Sequence, residues 1–246
     1  MSLPAEISVL KEKFQTARRV AVLTGAGISQ ESGIPTFRGE GGLWRNFRAE
    51  DLATPEAFQR DPILVWEWYE WRKQICAKAN PNPAHKLIVS WEKSKEEFHL
   101  FTQNVDGLHR RAGSRRITSL HGEIFAARCT KCSNLISESP ISWGHLPPNC
   151  SVCNSILRPH IVWFGETYFA GDLEHAYGFL EDTDLLVIIG TSGAVGVPVY
   201  LAKKAKNSGA YVVEINPDLT GYSDFMDLRI PLRARKFAEL WESKEK

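Results

Sequence analysis

The 246-residue sequence lacks any run approaching ~18 consecutive apolar residues, which excludes a membrane-spanning helix as an organising element. The opening stretch MSLPAEISVLKEKFQ holds no apolar core of signal-peptide length either, so a cytoplasmic protein without a membrane partner is expected. Excess charge of one sign is missing too. Thirty basic residues face 29 acidic ones, a formal net charge of +1, and nothing in the bulk electrostatics calls for nucleic acid or a lipid surface. Internal repeats and low-complexity tracts are absent. With only five cysteines in a chain long enough to bury a full-sized core, a disulfide framework is excluded as the source of stability.

Four of those cysteines fall as two Cys-x-x-Cys pairs, Cys129/Cys132 and Cys150/Cys153. Each pair can wrap one side of a tetrahedral ion at ~2.3 Å, and the segment between them has the length expected of a zinc ribbon. A redox Cys-x-x-Cys needs no matching second pair. Four thiolates leave the ion no open position for water, so one zinc with a structural role is expected. The ribbon segment carries Arg128, Lys131 and Arg158 but no aromatic cluster for base stacking, which argues against a nucleic-acid module. Cys76, among Trp71, Ile75 and Ala77, reads as an ordinary buried thiol.

Elsewhere apolar strands alternate with helical patterns. Helices are expected near Ala5 to Arg18, Pro83 to Glu92 and Val197 to Lys206, with a further one closing the chain. Strands are expected at Val20 to Thr24, Phe98 to Thr102, Leu185 to Ile189, Tyr211 to Ile215 and Leu228 to Ile230. This rhythm predicts an α/β fold, a Rossmann-like doubly wound parallel sheet. Two segments interrupt it: Phe37 to Pro81, rich in Trp, Arg and helical spacing, and Gly122 to Arg158, which carries the cysteines. The expected organisation is a discontinuous nucleotide-binding domain (1–38, 82–121 and 159–246), a helical insertion (39–81) and a small inserted zinc-ribbon domain (122–158). The two excursions are expected to meet above the carboxyl edge of the sheet, where ligands bind in such folds.

Three strand ends there carry turn and polar residues. The first strand runs into LTGAGISQESGIPTFRG, in which Gly25 and Gly27 allow a tight turn and close approach to a pyrophosphate and Ser29 adds a hydroxyl. Gln30 stands where a full dinucleotide fingerprint has its third glycine, so this turn alone leaves a packing role open. GTSGAVGVPV after Ile189 and Glu214 to Asn216 add two more polar turns, and three such turns at one sheet edge suit a dinucleotide. A fourth stretch, FTQNVDGLHRRAGSRRITSLHGEIFAARCTKC, puts Gln103, Asn104, Asp106, His109 and His121 just after a buried strand and just before the metal pairs.

In the order and spacing of GAGIS, GIPTFRG, TQNVDGLH, LHG, the two Cys-x-x-Cys pairs, VWFGE, GTS and EIN, the chain resembles the sirtuins, NAD-dependent protein lysine deacylases, over nearly its whole length. The resemblance implies NAD as co-substrate, one structural zinc, and a cleft where acyl-lysine threads beside the cofactor. In sirtuins the acyl oxygen attacks the anomeric carbon of the nicotinamide ribose. A neutral histidine then helps deprotonate a ribose hydroxyl so that the alkylimidate collapses, releasing O-acyl-ADP-ribose after nicotinamide. His121 matches that histidine and is expected to titrate near neutrality; His109 is the rival base, for which a structural role is expected. The resemblance further assigns cofactor contacts to Gly25, Ala26, Gly27, Ser29, Ile34, Phe37, Arg38, Gln103, Asn104, Asp106, Gly190, Thr191, Ser192 and Asn216. Val162, Trp163, Phe164 and Gly165 are implied beside the substrate, with Val162 to Gly165 expected to pair with the peptide backbone as an added strand. RIPLRARKF, residues 229–237, lacks the glycines expected near the adenine.

Within DLATPEAFQRDPILVWEWYEWRKQI the resemblance narrows to class III sirtuins, which remove succinyl and malonyl groups. Tyr69 and Arg72, three residues apart, share a helix face and can converge on one carboxylate, while Ala53 leaves the acyl pocket roomy. Without the resemblance, Tyr69 reads as core and Arg72 as solvated or paired with an acid such as Glu67. The alternatives for function are a protein that is mainly a deacetylase, a mono-ADP-ribosyltransferase, and an NAD sensor without turnover.

Overall fold

The computed structural model describes residues 5–35 and 47–243. The chain begins with helix α1 (Ala5–Thr16), strand β1 (Arg19–Thr24) and the short helices α2 (Gly27–Gln30), α3 (Ala49–Leu52) and α4 (Pro55–Arg60). Then come α5 (Pro62–Lys78), α6 (Pro83–Ser94), β2 (Glu97–Thr102), α7 (Leu108–Ala112), β3 (Ile117–Ser119), β4 (Gly122–Cys129), β5 (Leu135–Ile136) and β6 (Leu157–Ile161). The last part holds α8 (Asp172–Glu181), β7 (Leu185–Ile189), α9 (Gly196–Asn207), β8 (Tyr211–Ile215), a 3-10 turn (Ser223–Phe225), β9 (Leu228–Ile230) and α10 (Ala234–Glu242).

Six strands form one parallel sheet in the order β3-β2-β1-β7-β8-β9. Side chains alternate across it, as the period of two requires. Val20, Val22, Val187, Ile189, Val213 and Ile215 join a core with residues of α1, α6 and α10. Ala21, Leu23, Leu186, Ile188 and Val212 join the opposite one with residues of α8 and α9. Both faces are covered, which explains strands that read as unbroken apolar runs. The order reverses at β1, whose neighbours β2 and β7 continue in opposite directions; the crevice at the carboxyl ends of β1 and β7 is the topological switch point.

A second sheet, β5-β4-β6, is antiparallel and holds the cysteine segment. A third core joins it to the helices between β1 and α6: Leu52, Phe58, Trp66, Trp68 and Tyr69 pack with Ile124, Ala127, Leu157, Ile161 and Trp163. The two excursions thus share one apolar interior. Three helices that bound this region start alike, with a capping side chain followed by proline at the first helical position. Thr54 accepts from the Ala57 N–H (3.1 Å), Asp61 from Leu64 (2.9 Å) and Asn82 from Ala84 (2.9 Å). The cap satisfies an orphan donor and Pro55, Pro62 and Pro83 give up an N–H that had no helical partner.

At the switch point the turns after β1 and β7 touch backbone to backbone. Gly25 N–H donates to Ile189 O (3.1 Å) and Gly27 N–H to Gly190 O (2.7 Å). A Cβ on Gly190 would stand 2.5 Å from the Ile28 nitrogen, at a φ of +64°. Replacing Gly190 by Ala should therefore destabilise the chain by roughly 2–4 kcal/mol, combining left-handed strain with overpacking. The check is a lowered urea midpoint at unchanged slope; an unaltered midpoint would mean that the two turns separate freely.

Candidate functional site

The carboxyl ends of β1, β2, β7 and β8 deliver the polar residues to one crevice. Gln103, just past β2, donates through Nε2 to Thr191 Oγ1 beyond β7 (2.9 Å), and Asn216, just past β8, donates through Nδ2 to the Thr191 carbonyl (3.1 Å). Thr191 is thereby held from both sides. Ser192 accepts through its carbonyl from Gly221 N–H (3.1 Å). Ala26 precedes α2, and Ile34 N–H returns to the Ser29 carbonyl (3.3 Å), closing the loop that leaves the first turn.

Beneath this rim lies a buried hydrogen-bonded set. Ser29 Oγ donates to Asp106 Oδ2 (2.7 Å), whose other oxygen accepts from Leu108 N–H (2.8 Å). Asn104 Nδ2 donates to the Gly25 carbonyl (3.0 Å) and to Ser29 Oγ (3.2 Å). Burial raises the Asp106 carboxyl above the usual carboxylate range, while the bonds from Ser29 and Leu108 pull it back. Two histidines complete the set: His109, for which a structural role was expected, and His85, which the sequence did not single out. His85 Nδ1 accepts from Asn82 N–H (3.3 Å), and its Nε2 faces Ser29 Oγ (3.4 Å). His109 Nε2 bonds Thr24 Oγ1 (3.0 Å), and its ring packs on that of His85 at 4.8 Å. Burial drives His109 well below the ordinary imidazole range. With its ring committed to Thr24 and His85, His109 supports the floor of the site.

His121 follows β3. Its Nδ1 bonds the Gln103 carbonyl (3.0 Å), and because a carbonyl only accepts, Nδ1 carries the proton and Nε2 carries the lone pair. The expectation of an ordinary neutral titration needs correction. Burial holds the imidazole below its usual value, and the Gln103 bond opposes this only in part. Nε2 lies 3.1 Å from the Tyr168 hydroxyl, a residue that no periodicity or motif singled out.

On the other side, Tyr69 of α5 is fully buried and its oxygen accepts from the Trp163 indole (2.8 Å). Burial pushes the phenol up to about 12, against the pull of the Arg72 charge, so it stays a donor at physiological pH. Arg72 places its guanidinium carbon 5.0 Å from the Trp68 ring centroid and 5.8 Å from that of Tyr69. Ala53 accepts through its carbonyl from Phe164 N–H (3.0 Å), which brings Ala53, Tyr69 and the 162–165 stretch together. Within that stretch the N–H groups of Val162, Trp163 and Phe164 have partners inside the chain. Val162 N–H is taken by the His121 carbonyl (3.0 Å), Trp163 N–H by Glu166 Oε2 (2.9 Å), and Glu166 N–H closes a turn onto the Trp163 carbonyl (3.0 Å) with Gly165 at φ +83°. Glu166 also receives both terminal nitrogens of Arg158 (2.6 and 2.8 Å), and Arg158 stacks 3.5 Å above the Trp163 ring. Phe37 and Arg38 lie outside the described residues.

The four cysteine sulfurs lie within 4.8 Å of one another. The pairs Cys129/Cys153, Cys132/Cys153 and Cys132/Cys150 are 3.5, 3.5 and 3.7 Å apart. A tetrahedron with zinc-to-sulfur bonds of ~2.3 Å has edges of about 3.8 Å, so the spacing fits that ion. Backbone N–H groups of Lys131 and Cys132 point at Cys129 Sγ, and Val152 N–H and Asn134 Nδ2 point at Cys150 Sγ, all at 3.3–3.4 Å. Such donors favour thiolates over thiols. Cys76 is buried away from solvent, which pushes its thiol up to about 11.

A doubly wound sheet with a glycine-lined switch point, a half-buried neutral imidazole at its edge and a closed tetrathiolate knuckle defines a nucleotide-binding α/β protein with a structural metal module. The comparisons carry this further: the profile of the Sir2 family matches residues 25–197. A relative named NAD-dependent protein deacylase from Leptospira interrogans serogroup Icterohaemorrhagiae serovar copenhageni is 52% identical over 222 residues, covering 89% of this chain and 88% of its own. One of the same name from Aeropyrum pernix is 51% identical over 225 residues, covering 91% of each. A crystal structure described as a Sir2 homolog–NAD complex is 40% identical, with a TM-score of 0.88 over 95% of this chain and 92% of that one. One described as Sir2 bound to acetylated peptide is 28% identical, with a TM-score of 0.84 over 95% of both. The chain belongs to the Sir2 family.

Metal analysis of the purified chain should find one zinc per molecule, and Cys150→Ser should lower that stoichiometry and loosen residues 122–158 to proteolysis. A metal-free chain whose small sheet resists protease as well as before would overturn the assignment.

Proposed function

We propose that the chain is an NAD-dependent protein lysine deacylase that accepts succinyl- and malonyl-lysine as well as acetyl-lysine, releasing nicotinamide and O-acyl-ADP-ribose. The observation that carries the reaction class is His121: a half-buried imidazole at the sheet's carboxyl edge with its Nδ1 proton fixed on the Gln103 carbonyl and its Nε2 lone pair turned toward a hydroxyl, that of Tyr168 in this structure. A base so held can take a proton from a hydroxyl presented at Nε2, and burial keeps it neutral to lower pH than an exposed histidine. NAD, when bound, supplies an anomeric carbon with nicotinamide as its leaving group. The glycine turn of Gly25, Ala26 and Gly27 with Gly190 offers its backbone to the pyrophosphate, and Ser29, Asn104 and Asp106 hold the nicotinamide end. Gln103, Thr191, Ser192 and Asn216 frame the riboses. In this reading residues 1–38, 82–121 and 159–246 form the NAD domain, 39–81 line the acyl pocket and 122–158 hold zinc. Among the described residues no helix is long and apolar enough to cross a membrane, and all five cysteines are unpaired, which supports a cytoplasmic setting.

Recognition of acidic acyl groups is supported by α5. The Trp163 indole fills one lone pair of the Tyr69 oxygen, so the phenol proton is available to an acceptor, and Arg72 adds a guanidinium beside the same ring. A phenol donor and a guanidinium on one face suit a carboxylate, and Ala53 leaves space beneath them.

Two measurements test the reading. His121→Ala should lower turnover by roughly two to four orders of magnitude while NAD still binds; near-normal deacylation by a folded variant would move the base elsewhere. Arg72→Met should cost roughly ten- to a hundredfold in desuccinylation kcat/KM, the equivalent of a charged hydrogen bond, with a much smaller loss on acetyl-lysine. Equal losses on both peptides would assign Arg72 to structure.

A further inference from the structure

Tyr168 lies in the loop between β6 and α8, 47 residues from His121 in sequence, and its hydroxyl stands 3.1 Å from His121 Nε2. Because Nδ1 is committed as a donor to the Gln103 carbonyl at 3.0 Å, Nε2 can only accept, and the Tyr168 O–H is the donor. The two rings are 5.5 Å apart and inclined by 54°, so they meet through the hydroxyl rather than by stacking. The Tyr168 ring is anchored independently, packed against the apolar cluster that includes Phe101, Leu120 and, from α8, Ala176 and Leu180. Burial pushes its phenol up to about 12, so it keeps its proton across the physiological range.

A hydroxyl that is to surrender its proton to His121 must reach the same lone pair. One lone pair serves one donor. We propose that Tyr168 is a positioning residue that occupies the base position of His121, holding the imidazole in its neutral Nδ1–H form and competing with the incoming ribose hydroxyl for Nε2. The proposal rests on the reading of His121 as the base. It involves no net transfer: the Tyr168 proton stays on its oxygen, and the hydrogen bond to Nε2 is exchanged for one from the ribose. Two consequences follow. A bond donated to the neutral imidazole disfavours its charged form, so Tyr168 adds to the effect of burial in keeping His121 uncharged. Displacing that bond also weakens NAD binding by the same interaction. The groups facing the pair are neutral: the Gln103 carbonyl beside His121, and Tyr177 of α8 and Tyr222 near Tyr168.

Tyr168→Phe keeps the ring and removes only the hydroxyl, so a residue that merely fills space is not disturbed. On the full chain without NAD, the titration of His121 followed by NMR of labelled histidine should move upward by roughly 0.3–1 pH unit in the variant, the equivalent of one ordinary hydrogen bond. NAD affinity measured by calorimetry should tighten about two- to tenfold. A midpoint that stays where it was, or an NAD affinity that is unchanged or weaker, overturns the proposal. His121→Ala is assayed alongside. If that variant turns over normally, the base assignment itself fails; if it is inactive while Tyr168→Phe matches the unaltered chain in both readouts, only the role of Tyr168 fails.

Discussion

The contact between the turns after β1 and β7 is the constraint on which the site depends. Gly27 N–H reaches the Gly190 carbonyl at 2.7 Å only because neither turn has a Cβ in the way. That approach fixes the switch-point crevice, and the crevice in turn fixes where Gln103, Thr191 and Asn216 can meet. Gln103 is the joint between this rim and the chemistry. Its side chain ties β2 to the turn after β7, while its carbonyl sets the tautomer of His121. A shift of the glycine turns would therefore reach the imidazole through a single residue.

Helix α5 transmits a second constraint. On one side Trp66 Nε1 donates to the Leu157 carbonyl (2.9 Å), and Lys73 is buried with Nζ on Ser139 Oγ (2.7 Å) and the Pro140 carbonyl (3.0 Å). Glu70 accepts from Trp143 N–H and Ser142 Oγ. Burial lowers the Lys73 ammonium to about 8, with the Glu70 charge opposing, so this clamp holds a cation at some desolvation cost. Tyr69 and Arg72 alternate with these residues along the same helix. The cysteine module is thus hydrogen-bonded at several points to the helix that carries Tyr69 and Arg72.

Much of this was legible in the sequence, for reasons that differ by element. The strands Leu185–Ile189 and Tyr211–Ile215 lie where apolar runs bounded by turn residues put them, because a strand buried on both faces has little other way to be written. The cysteine spacing announced a tetrathiolate cluster since local geometry alone brings each pair together. The edge strand β3 and the helices α7 and α8 were not read: β3 is three residues long, and α7 is set by Gly107 and Gly113 in left-handed conformations. The partners of the 162–164 backbone donors, His121, Glu166 and Ala53, had no signal in the sequence because the tertiary fold and a local turn supply them. Tyr168 had no signal at all. It meets His121 only through the tertiary fold.

Burial pushes six titrating groups of the site toward the uncharged form. It raises Asp106 and the phenols of Tyr69 and Tyr168, and it lowers His121, His109 and His85, the last to about 4. What separates their roles is therefore hydrogen bonding and not charge. Asp106 receives two donors, Ser29 Oγ and Leu108 N–H, which favour its ionised form and oppose burial. His121 receives one donor and gives one, which favours a fixed neutral tautomer. Donors thus oppose burial at Asp106, whereas at His121 the hydrogen bonds fix one neutral tautomer. The tetrathiolate cluster stands apart from this set, with all four positions of a tetrahedral ion taken by sulfur.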